Sequence, residues 1–372
     1  MNRIDWWTVV VGQREKERLS AVVDSGFIND GAETDKLAQM VAAICEVPFG
    51  LGTTSGTTAI FLALAAAGVG HGDEVLVPDI TFIATANAVT LAGATPVFVD
   101  VDARTLGMDP RAAAVAVTPR TKAMIPVHVS GRAADLPALL ELARVRGLIV
   151  VEDAAEALGS RQFGAPLGGQ GDFGCFSFSA NKTITCGQGG VVVCKDGRHA
   201  ARLRELKDQG RPVRGTGGND EHVAIGYNFK LTNLQATVAL AQLESLEARL
   251  EHQRRLYRLY SAGLAGHPRI DVLPFDLSAG EVPQWVDALV DRRDELHDRL
   301  ATQGIGTRKF WFPLHTQAPY RAADTKYPRA MAASAAALWL PSALTLTDAD
   351  VARTIEICWE WVGRAEREER CP

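Results

Sequence analysis

Between residues 49 and 193 the chain alternates short apolar, β-branched runs with alanine-rich stretches of helical character. This alternation predicts a mostly parallel, doubly wound sheet with helices on both faces. Ligands of such sheets bind beyond the carboxyl ends of the strands, where Pro78, Asp153 and Ser177 fall. The predicted strands are 75–78, 96–100, 123–127, 148–153, 173–177 and 191–194, and the predicted helices are 57–67, 83–92 and 136–146.

After Lys195 the pattern changes to amphipathic helices, at 198–209 and in one long helix at 233–264. Beyond them we predict a smaller α+β domain. Its predicted parts are apolar segments at 272–274 and 285–290, a helix at 292–303, an aromatic-rich turn at 309–315 and a helix at 348–364. The domain boundaries follow from this change: a large domain at 15–245, and a small domain at 246–372 that includes residues 1–14. We expect a mobile loop at 215–220 and a solvated tail at 364–372.

Composition excludes several classes of protein. The chain has 372 residues, of which 47% are hydrophobic and 22% charged, with a net charge of −5, so we expect a globular protein that does not bind nucleic acid. The longest apolar stretch, 59–70, is too short to span a membrane, and the N-terminus lacks the apolar core of a signal peptide. We therefore expect a cytoplasmic protein. The six cysteines lack metal-ligand spacing, which predicts no metal site.

Lys182 lies between an apolar strand and a glycine-rich turn. Most lysines are solvated surface charges, but Lys182 lies in an apolar segment that is not typical of a protein surface. A partly desolvated lysine can be unprotonated at neutral pH and can form an imine with an aldehyde. Pyridoxal phosphate is such an aldehyde, and its site also needs a carboxylate for the pyridine nitrogen, a phosphate cradle and a flat apolar cover.

The sequence has a candidate for each of these needs. Asp153 ends an apolar strand, where a buried carboxylate requires a cation, although Asp is also a favoured helix N-cap. Residues 53–57 carry small hydroxyl side chains before a helix, and Ser177 and Ser179 would point the same way from a strand. Such residues also cap helices without binding phosphate. Phe82 is a candidate for stacking on the ring, or else a core residue.

These residues belong to a set of ordered matches along nearly the whole chain. Together they resemble the sugar aminotransferases of the DegT/DnrJ/EryC1/StrS family, and in particular its GDP-perosamine-synthase-like members. The resemblance implies fold type I of the pyridoxal-phosphate transferases, with a mostly parallel seven-stranded sheet in the large domain and a smaller C-terminal α+β domain. The matching motifs are Thr54-Ser-Gly-Thr57, 72–78, 81–85, 93–100, 126–128, Glu152-Asp-Ala-Ala-Glu156, 176–178, Asn181-Lys182, 226–236 and 306–315.

The resemblance also implies roles for single residues. Lys182 would bind pyridoxal phosphate through an imine and then move the proton between two carbons. Asp153 would pair with the pyridine nitrogen, and Phe82 would stack on the ring. Glu156, where many relatives carry Gln, would lie over the cofactor near its phenolic oxygen. The phosphate would be bound by Ser55, Gly56, Thr57 and Ser177, and by Asn228 from the partner subunit of a homodimer whose active site lies at the interface.

Other residues are expected to bind the substrate. Arg308 and Lys309 would hold a nucleotide diphosphate by charge, and Trp311 beside them would hold a base by stacking. The alternative is that Phe310, Trp311 and Phe312 belong to the core of the small domain. His315 closes the same motif, and Phe27 and Asn29 lie in an N-terminal loop that approaches the substrate in relatives.

The expected reaction is amino transfer from L-glutamate to a nucleotide-linked keto-sugar, at C4 of a 4-keto-6-deoxyhexose. A 3-keto-sugar or an aminocyclitol ketone is the alternative substrate. Sugar dehydration on the same fold is disfavoured because those enzymes are expected to replace the lysine with histidine. A scaffold without activity would predict loss of Lys182 or Asp153, and an aldolase without a cofactor would not need Asp153 with a phosphate cradle.

Overall fold

The structure is a computed structural model that describes residues 3–213 and 220–369. Within these residues it contains twelve α-helices, many of which begin at a residue that caps the first turn with a side-chain oxygen, as Asp135 and Asp196 do. The helices are α1 (Gln13–Ser25), α2 (Ala32–Ile44), α3 (Gly56–Ala66), α4 (Ala84–Leu91), α5 (Pro110–Ala116), α6 (Leu136–Arg146), α7 (Gly197–Lys207), α8 (Asn233–Leu243), α9 (Leu246–Gly263), α10 (Arg293–Thr302), α11 (Pro328–Ala336) and α12 (Asp348–Glu369).

The strands form three sheets. The first has seven strands, the second has four and the third is a two-stranded ribbon of β6 and β7. The strands are β1 (Phe49–Thr53), β2 (Glu74–Pro78), β3 (Thr95–Val99), β4 (Thr121–Met124), β5 (Ile149–Asp153), β6 (Arg161–Gln162), β7 (Ala165–Pro166), β8 (Phe173–Ser177), β9 (Gly190–Cys194), β10 (Ile270–Val272), β11 (Asp287–Val290), β12 (Arg308–Lys309) and β13 (Ala337–Trp339).

The seven-stranded sheet confirms the predicted fold class. Its order is β1-β9-β8-β5-β4-β2-β3, and the pairs among β8, β5, β4, β2 and β3 are all parallel. Strand β9 pairs antiparallel with both β8 and β1. The six predicted strands of this sheet are present, and β1 is the one that the prediction missed. Its two glycines weaken the strand pattern, and a Cβ atom at Gly50 would lie 2.2 Å from the carbonyl oxygen of Ala38.

Helix α3 is buried almost all round because it crosses the sheet beneath other helices. Its residues from Ala59 to Leu64 are all at most 2% exposed, and it packs against β8, β9, α4 and α7. A helix that is apolar on every side in this way fits only the interior of a large domain. Its N-terminus therefore has a fixed position beside the carboxyl end of β8.

The C-terminal part is built on the four-stranded sheet, ordered β10-β11-β13-β12, in which all neighbours are antiparallel. Helices α9, α10 and α12 pack together on it around an apolar cluster that includes Leu296, Leu338 and Cys358. The N-terminal segment joins this part, since Ile4 pairs with Ile305 and is buried in the same cluster.

The single long helix predicted at 233–264 is wrong. The chain forms two helices, α8 and α9, with a break at Glu244 and Ser245. Ser245 leaves the helical region of backbone angles, and its hydroxyl group donates a hydrogen bond to the carbonyl oxygen of Gln242. A serine that bonds to the backbone in this way competes with helix continuation, and the apolar stripe alone did not reveal it.

Two features of the sequence fall partly outside the described residues: positions 215–219 of the Gly-rich loop, and positions 370–372 of the charged tail, which include Cys371. The other five cysteines are buried and unpaired. Among the described residues no helix is both long enough and apolar enough to cross a membrane.

We predict that Gly174→Ala destabilises the fold. Gly174 is the second residue of β8, and a Cβ atom there would lie 1.9 Å from the carbonyl oxygen of Gly168, a backbone atom that cannot move aside. Overpacking of this kind costs about 1–3 kcal/mol of unfolding free energy, measurable by urea denaturation. Gly197→Ala is the matched control, because that glycine opens α7 and its Cβ atom would meet neighbours only at ordinary contact distance. Equal stability of the two variants would contradict the prediction.

Candidate active site

Lys182 lines a cavity of about 380 Å³ at the carboxyl ends of β5 and β8. The lysine follows β8 in a turn, and its side chain is only 13% exposed. The cavity contains ten of the residues that the sequence marked as candidates for binding cofactor or substrate. They are Ser55, Gly56, Thr57, Phe82, Asp153, Glu156, Ser177, Lys182, Arg308 and Trp311.

The ammonium group of Lys182 has two neighbours. Its Nζ atom lies 3.2 Å from Oε1 of Glu156 and 5.1 Å from the ring centroid of Trp285. The other carboxylate oxygen of Glu156 accepts a hydrogen bond of 2.8 Å from the backbone N–H of Ser130. Burial raises the pKa of Glu156, and the nearby Lys182 and the Ser130 hydrogen bond oppose that rise. The lysine is thus held by an ion pair on one side and an aromatic face on the other.

Asp153 is the last residue of β5 and is buried in the same cavity. One carboxylate oxygen accepts a hydrogen bond from the Thr85 hydroxyl at 2.8 Å, and the other accepts one from the N–H of Ala155 at 3.2 Å. A turn, not a helix, follows Asp153, so the N-cap interpretation of this residue is wrong. Burial raises its pKa, which means that its ionised form requires a cation in the cavity.

The residue before Asp153 anchors the strand. Glu152 is fully buried, and its carboxylate accepts hydrogen bonds from the backbone N–H groups of Gly168, Gln170 and Gly171. His128 lies 3.0 Å from it through Nε2, while His128 Nδ1 accepts from the N–H of Ala134. Nε2 is therefore the donor to Glu152. Burial alone would raise the pKa of Glu152, but these hydrogen bonds outweigh burial and lower it.

Small hydroxyl residues surround the N-terminus of α3. Ser55 is its N-cap, and the Ser55 hydroxyl accepts a hydrogen bond from the N–H of Thr58. A Cβ atom at Gly56 would lie 2.8 Å from Cβ of Ser177, so only glycine allows the helix to approach β8 this closely. The Ser177 and Ser179 hydroxyls lie 3.2 Å apart and line the same cavity. Free N–H groups and hydroxyls at a helix N-terminus form an anion site.

The mouth of the cavity is aromatic and basic. Phe82 is 54% exposed there, although it follows a buried strand. The guanidinium group of Arg308 lies 5.1 Å from the ring centroid of Trp6 and 5.3 Å from that of Trp339. Of the three aromatic residues after Lys309, Phe310 is buried core, Trp311 lines the cavity and Phe312 is 71% exposed. Phe310 thus fits the core interpretation, Trp311 both packs against that core and lines the cavity, and Phe312 does not belong to the core.

Five predicted site residues lie outside this cavity. Asn228 pairs with Asp208 of the same chain, and Lys309 forms an ion pair with Asp294 at 3.0 Å. His315 is completely buried, with Nδ1 2.6 Å from Asp79, and serves to hold the loop after β2. Phe27 and Asn29 line a separate cavity beside α1.

Sequence reasoning missed other residues of the cavity. Trp285 was assigned only to the apolar segment at 285–290, and nothing near it in the sequence indicates that it approaches Lys182. Thr85 was passed over, although it lies four residues after Thr81 in a motif already marked, and the two hydroxyls are 3.1 Å apart. Gln188 also lines the cavity, in the glycine-rich turn that follows Lys182.

The described residues fit pyridoxal phosphate. The cavity provides an amine at Lys182, an anion site at the start of α3 and a buried carboxylate in Asp153. That carboxylate receives two hydrogen bonds from neutral groups, and a protonated pyridine nitrogen would supply the cation that its ionised form requires.

The sequence of this chain matches a known protein family. Residues 10–358 match the DegT/DnrJ/EryC1/StrS aminotransferase family. The GDP-perosamine synthase of Caulobacter vibrioides is 37% identical over 350 residues, which cover 92% of this chain and 93% of that protein. The match thus extends over both the large sheet and most of the C-terminal part.

Solved structures give the same result for the fold. The S. venezuelae protein DesV, in complex with a ketimine intermediate, is 36% identical with a TM-score of 0.89, covering 93% of this chain and 94% of DesV. A Streptococcus pneumoniae protein described as a putative sugar aminotransferase, Spr1654 in its PMP form, is 27% identical with a TM-score of 0.91, covering 98% of this chain and all of that one. The same protein has also been solved in a PLP form.

We predict that Glu152→Gln lowers the free energy of unfolding at pH 7 by about 2–3 kcal/mol, because the amide cannot accept charge-assisted hydrogen bonds from all its donors. The folded pKa of Glu152 is lowered, so its contribution is complete above the unfolded pKa of about 4.3 and is lost as pH falls through the folded pKa. The gap between wild type and variant should therefore close in acid.

The measurement is urea unfolding at several values of pH, with Glu247→Gln as control for an exposed glutamate. A gap that stays constant into the acid range would show that the Glu152 charge is not what stabilises the strand.

Proposed function

The chain belongs to the DegT/DnrJ/EryC1/StrS aminotransferase family and is an aminotransferase, and from this premise we propose its cofactor and substrates. We propose that it uses pyridoxal phosphate bound at Lys182 to move the amino group of L-glutamate to a nucleotide-linked keto-sugar. The proposed acceptor position is C4 of a 4-keto-6-deoxyhexose.

One observation carries the proposal: a mostly buried lysine and two buried carboxylates share one cavity with a helix N-terminus. A lysine in an aldolase without a cofactor would need the amine but not the anion site. A structural ion pair would need neither the anion site nor the cavity. Pyridoxal phosphate uses all of these features at once.

Several residues of the cavity would hold the cofactor. Asp153 would bind the pyridine nitrogen as its counter-ion, with Thr85 fixing the carboxylate. The phosphate would lie on the N-terminus of α3, at the hydroxyls of Ser55, Thr57 and Ser177. Phe82 would cover the ring. When bound, the cofactor supplies an electron sink and carries the amino group between donor and acceptor.

Lys182 is the proton-transfer group of the proposed reaction. Its Nζ atom would take a proton from the donor carbon that bears the amino group and return one to a second carbon, on the other side of the transferred nitrogen, as a general base and then an acid. The wall of Trp285 and the carboxylate of Glu156 keep Nζ directed into the cavity. The same lysine argues against sugar dehydration, in which a histidine is expected in its place.

The mouth of the cavity supports a nucleotide-linked substrate. Arg308 provides a fixed positive charge for a diphosphate, and Trp311 provides a face for a base or sugar. Charge-assisted bonds of this kind bind phosphates strongly. The similarity to GDP-perosamine synthase over 350 residues supports the same substrate class.

We also propose that the protein acts as a homodimer. Asn228 lies away from the cavity of its own chain, and Ile225 near it is 86% exposed, as expected for a surface that another subunit covers. In this dimer Asn228 of each subunit reaches the phosphate bound by the other.

The test is a pair of half-reactions followed by absorbance. The purified protein loaded with pyridoxal phosphate should show a visible band that L-glutamate removes, and a 4-keto-6-deoxyhexose nucleotide should restore it. Lys182→Ala should show no such band, because it has no amine for the imine, while Lys195→Ala, outside the cavity, should behave as wild type.

The acceptor panel contains GDP-, dTDP- and UDP-linked sugars with the ketone at C3 or C4, and an aminocyclitol ketone. Recovery of the band by 3-keto-sugars or the cyclitol alone would overturn the C4 assignment. A wild-type protein that cannot be loaded with the cofactor would overturn the proposed function as a whole.

A further inference from the structure

Glu156 has a carboxylate with two different faces. Oε2 accepts a hydrogen bond from the Ser130 backbone, whereas Oε1 faces the Lys182 ammonium at 3.2 Å. Glu156 is 5% exposed and the lysine side chain 13%, so the pair is largely shielded from water. A proton added to Oε1 would leave the Ser130 hydrogen bond in place. The carboxyl group can therefore change its charge without changing its position.

The charges around the pair favour such a change. Asp153 is a second buried carboxylate whose charge disfavours the ionised form of Glu156, and burial acts in the same direction. The cation that opposes these effects is Lys182 itself. Arg308 lines the same cavity at its mouth. His128 faces Asp153 and Glu152 from the neighbouring loop. Because Lys182 is the near cation, Glu156 loses its main stabilising partner when the lysine loses its charge.

We propose that Glu156 is the internal base that takes the proton from the Lys182 ammonium when the lysine bonds to its cofactor, and that it holds this proton while the bond exists. This inference rests on the proposed function, since it requires that Lys182 carry pyridoxal phosphate. It adds a catalytic role to a residue that the sequence placed only near the cofactor.

The step balances in atoms and charge. An N–H bond of the ammonium breaks, its electron pair stays on Nζ, and an O–H bond forms at Oε1 of Glu156. The neutral amine then attacks the aldehyde carbon, a carbon–nitrogen double bond forms, and the aldehyde oxygen leaves as water with the two remaining amine protons. No proton is exchanged with solvent. A lysine without such a base must first release its proton to water, which becomes harder as pH falls.

The experiment compares wild type with Glu156→Gln. The glutamine has nearly the same shape and can keep the Ser130 hydrogen bond, but its amide does not accept the lysine proton. Protein stripped of cofactor is mixed rapidly with pyridoxal phosphate, and the rate at which the visible band appears is measured from about pH 6 to pH 9, below the usual pKa of a lysine. Using the ratio of the two rates removes the ionisations of the free cofactor, which are common to both proteins.

We expect the ratio of the wild-type rate to the variant rate to rise about tenfold for each unit by which pH falls, because the neutral fraction of a lysine without an internal base falls about tenfold per unit below its pKa, whereas proton transfer within the wild-type pair does not depend on pH. Glu156→Asp, which keeps a carboxylate at a shorter reach, should be slower than wild type yet keep its weak dependence on pH. If Glu156→Gln does not fold, the pH dependence of Glu156→Asp still tests the inference. Glu141→Gln, an exposed glutamate on α6, should match wild type.

A ratio that does not change with pH would overturn the inference and leave Glu156 as a residue that only positions Lys182. The same result would follow if Glu156→Asp depended on pH as the glutamine variant does. Failure of the wild type to form the band would instead overturn the proposed function, so the two failures are distinguishable.

Discussion

The structure depends on the burial of charge at one edge of its parallel sheet. Asp153 and Glu156 are carboxylates removed from water beside a lysine that is itself mostly buried. Buried charges of this kind are costly unless they are paired, and they do not improve stability over apolar side chains of similar size. Their presence in a cavity, and not in a packed core, indicates a chemical role.

The surrounding fold holds this charged group rigidly. Glu152 binds the turn at Gly168 and Gly171, and this fixes β5 immediately before Asp153. On the other side Ser130, whose N–H binds Glu156, donates its hydroxyl to Asp287 of the C-terminal sheet at 2.7 Å. Arg132 lies 3.0 Å from the same aspartate. The two parts of the protein therefore meet through buried polar contacts at Ser130, which bonds to the Glu156 that pairs with Lys182.

Much of this was predictable because the relevant signals are local. The strand alternation predicted the sheet, and the strand ends at Asp153 and Ser177 predicted a ligand site, since parallel strands bring their carboxyl ends to one edge. The motif at 306–315 was harder to interpret. Its residues lie on a short edge strand and a turn, so Arg308 enters the cavity while Lys309 turns outward to Asp294. Which of these two neighbouring residues faces the cavity depends on the register of the strand, and the motif alone does not determine that register.

Long-range contacts account for the remaining misses. Trp285 and Lys182 are about a hundred positions apart, and only the packing of the C-terminal sheet against the large sheet brings them to 5.1 Å. His315 resembled a substrate ligand in its motif, but its partner is the buried Asp79, which begins the loop after β2. The break between α8 and α9 depends on one serine hydroxyl. In each case the observed structure depends on a residue elsewhere in the chain or on a single side-chain group.

The central claim is that Lys182 is the residue to which the cofactor bonds. The most direct measurement is borohydride reduction of the protein loaded with pyridoxal phosphate, followed by peptide mapping by mass spectrometry. Reduction makes the carbon–nitrogen bond permanent, so the mass of the reduced cofactor should be found on the peptide that contains Lys182. Modification of another lysine, such as Lys207 or Lys309, with Lys182 unmodified would contradict this account.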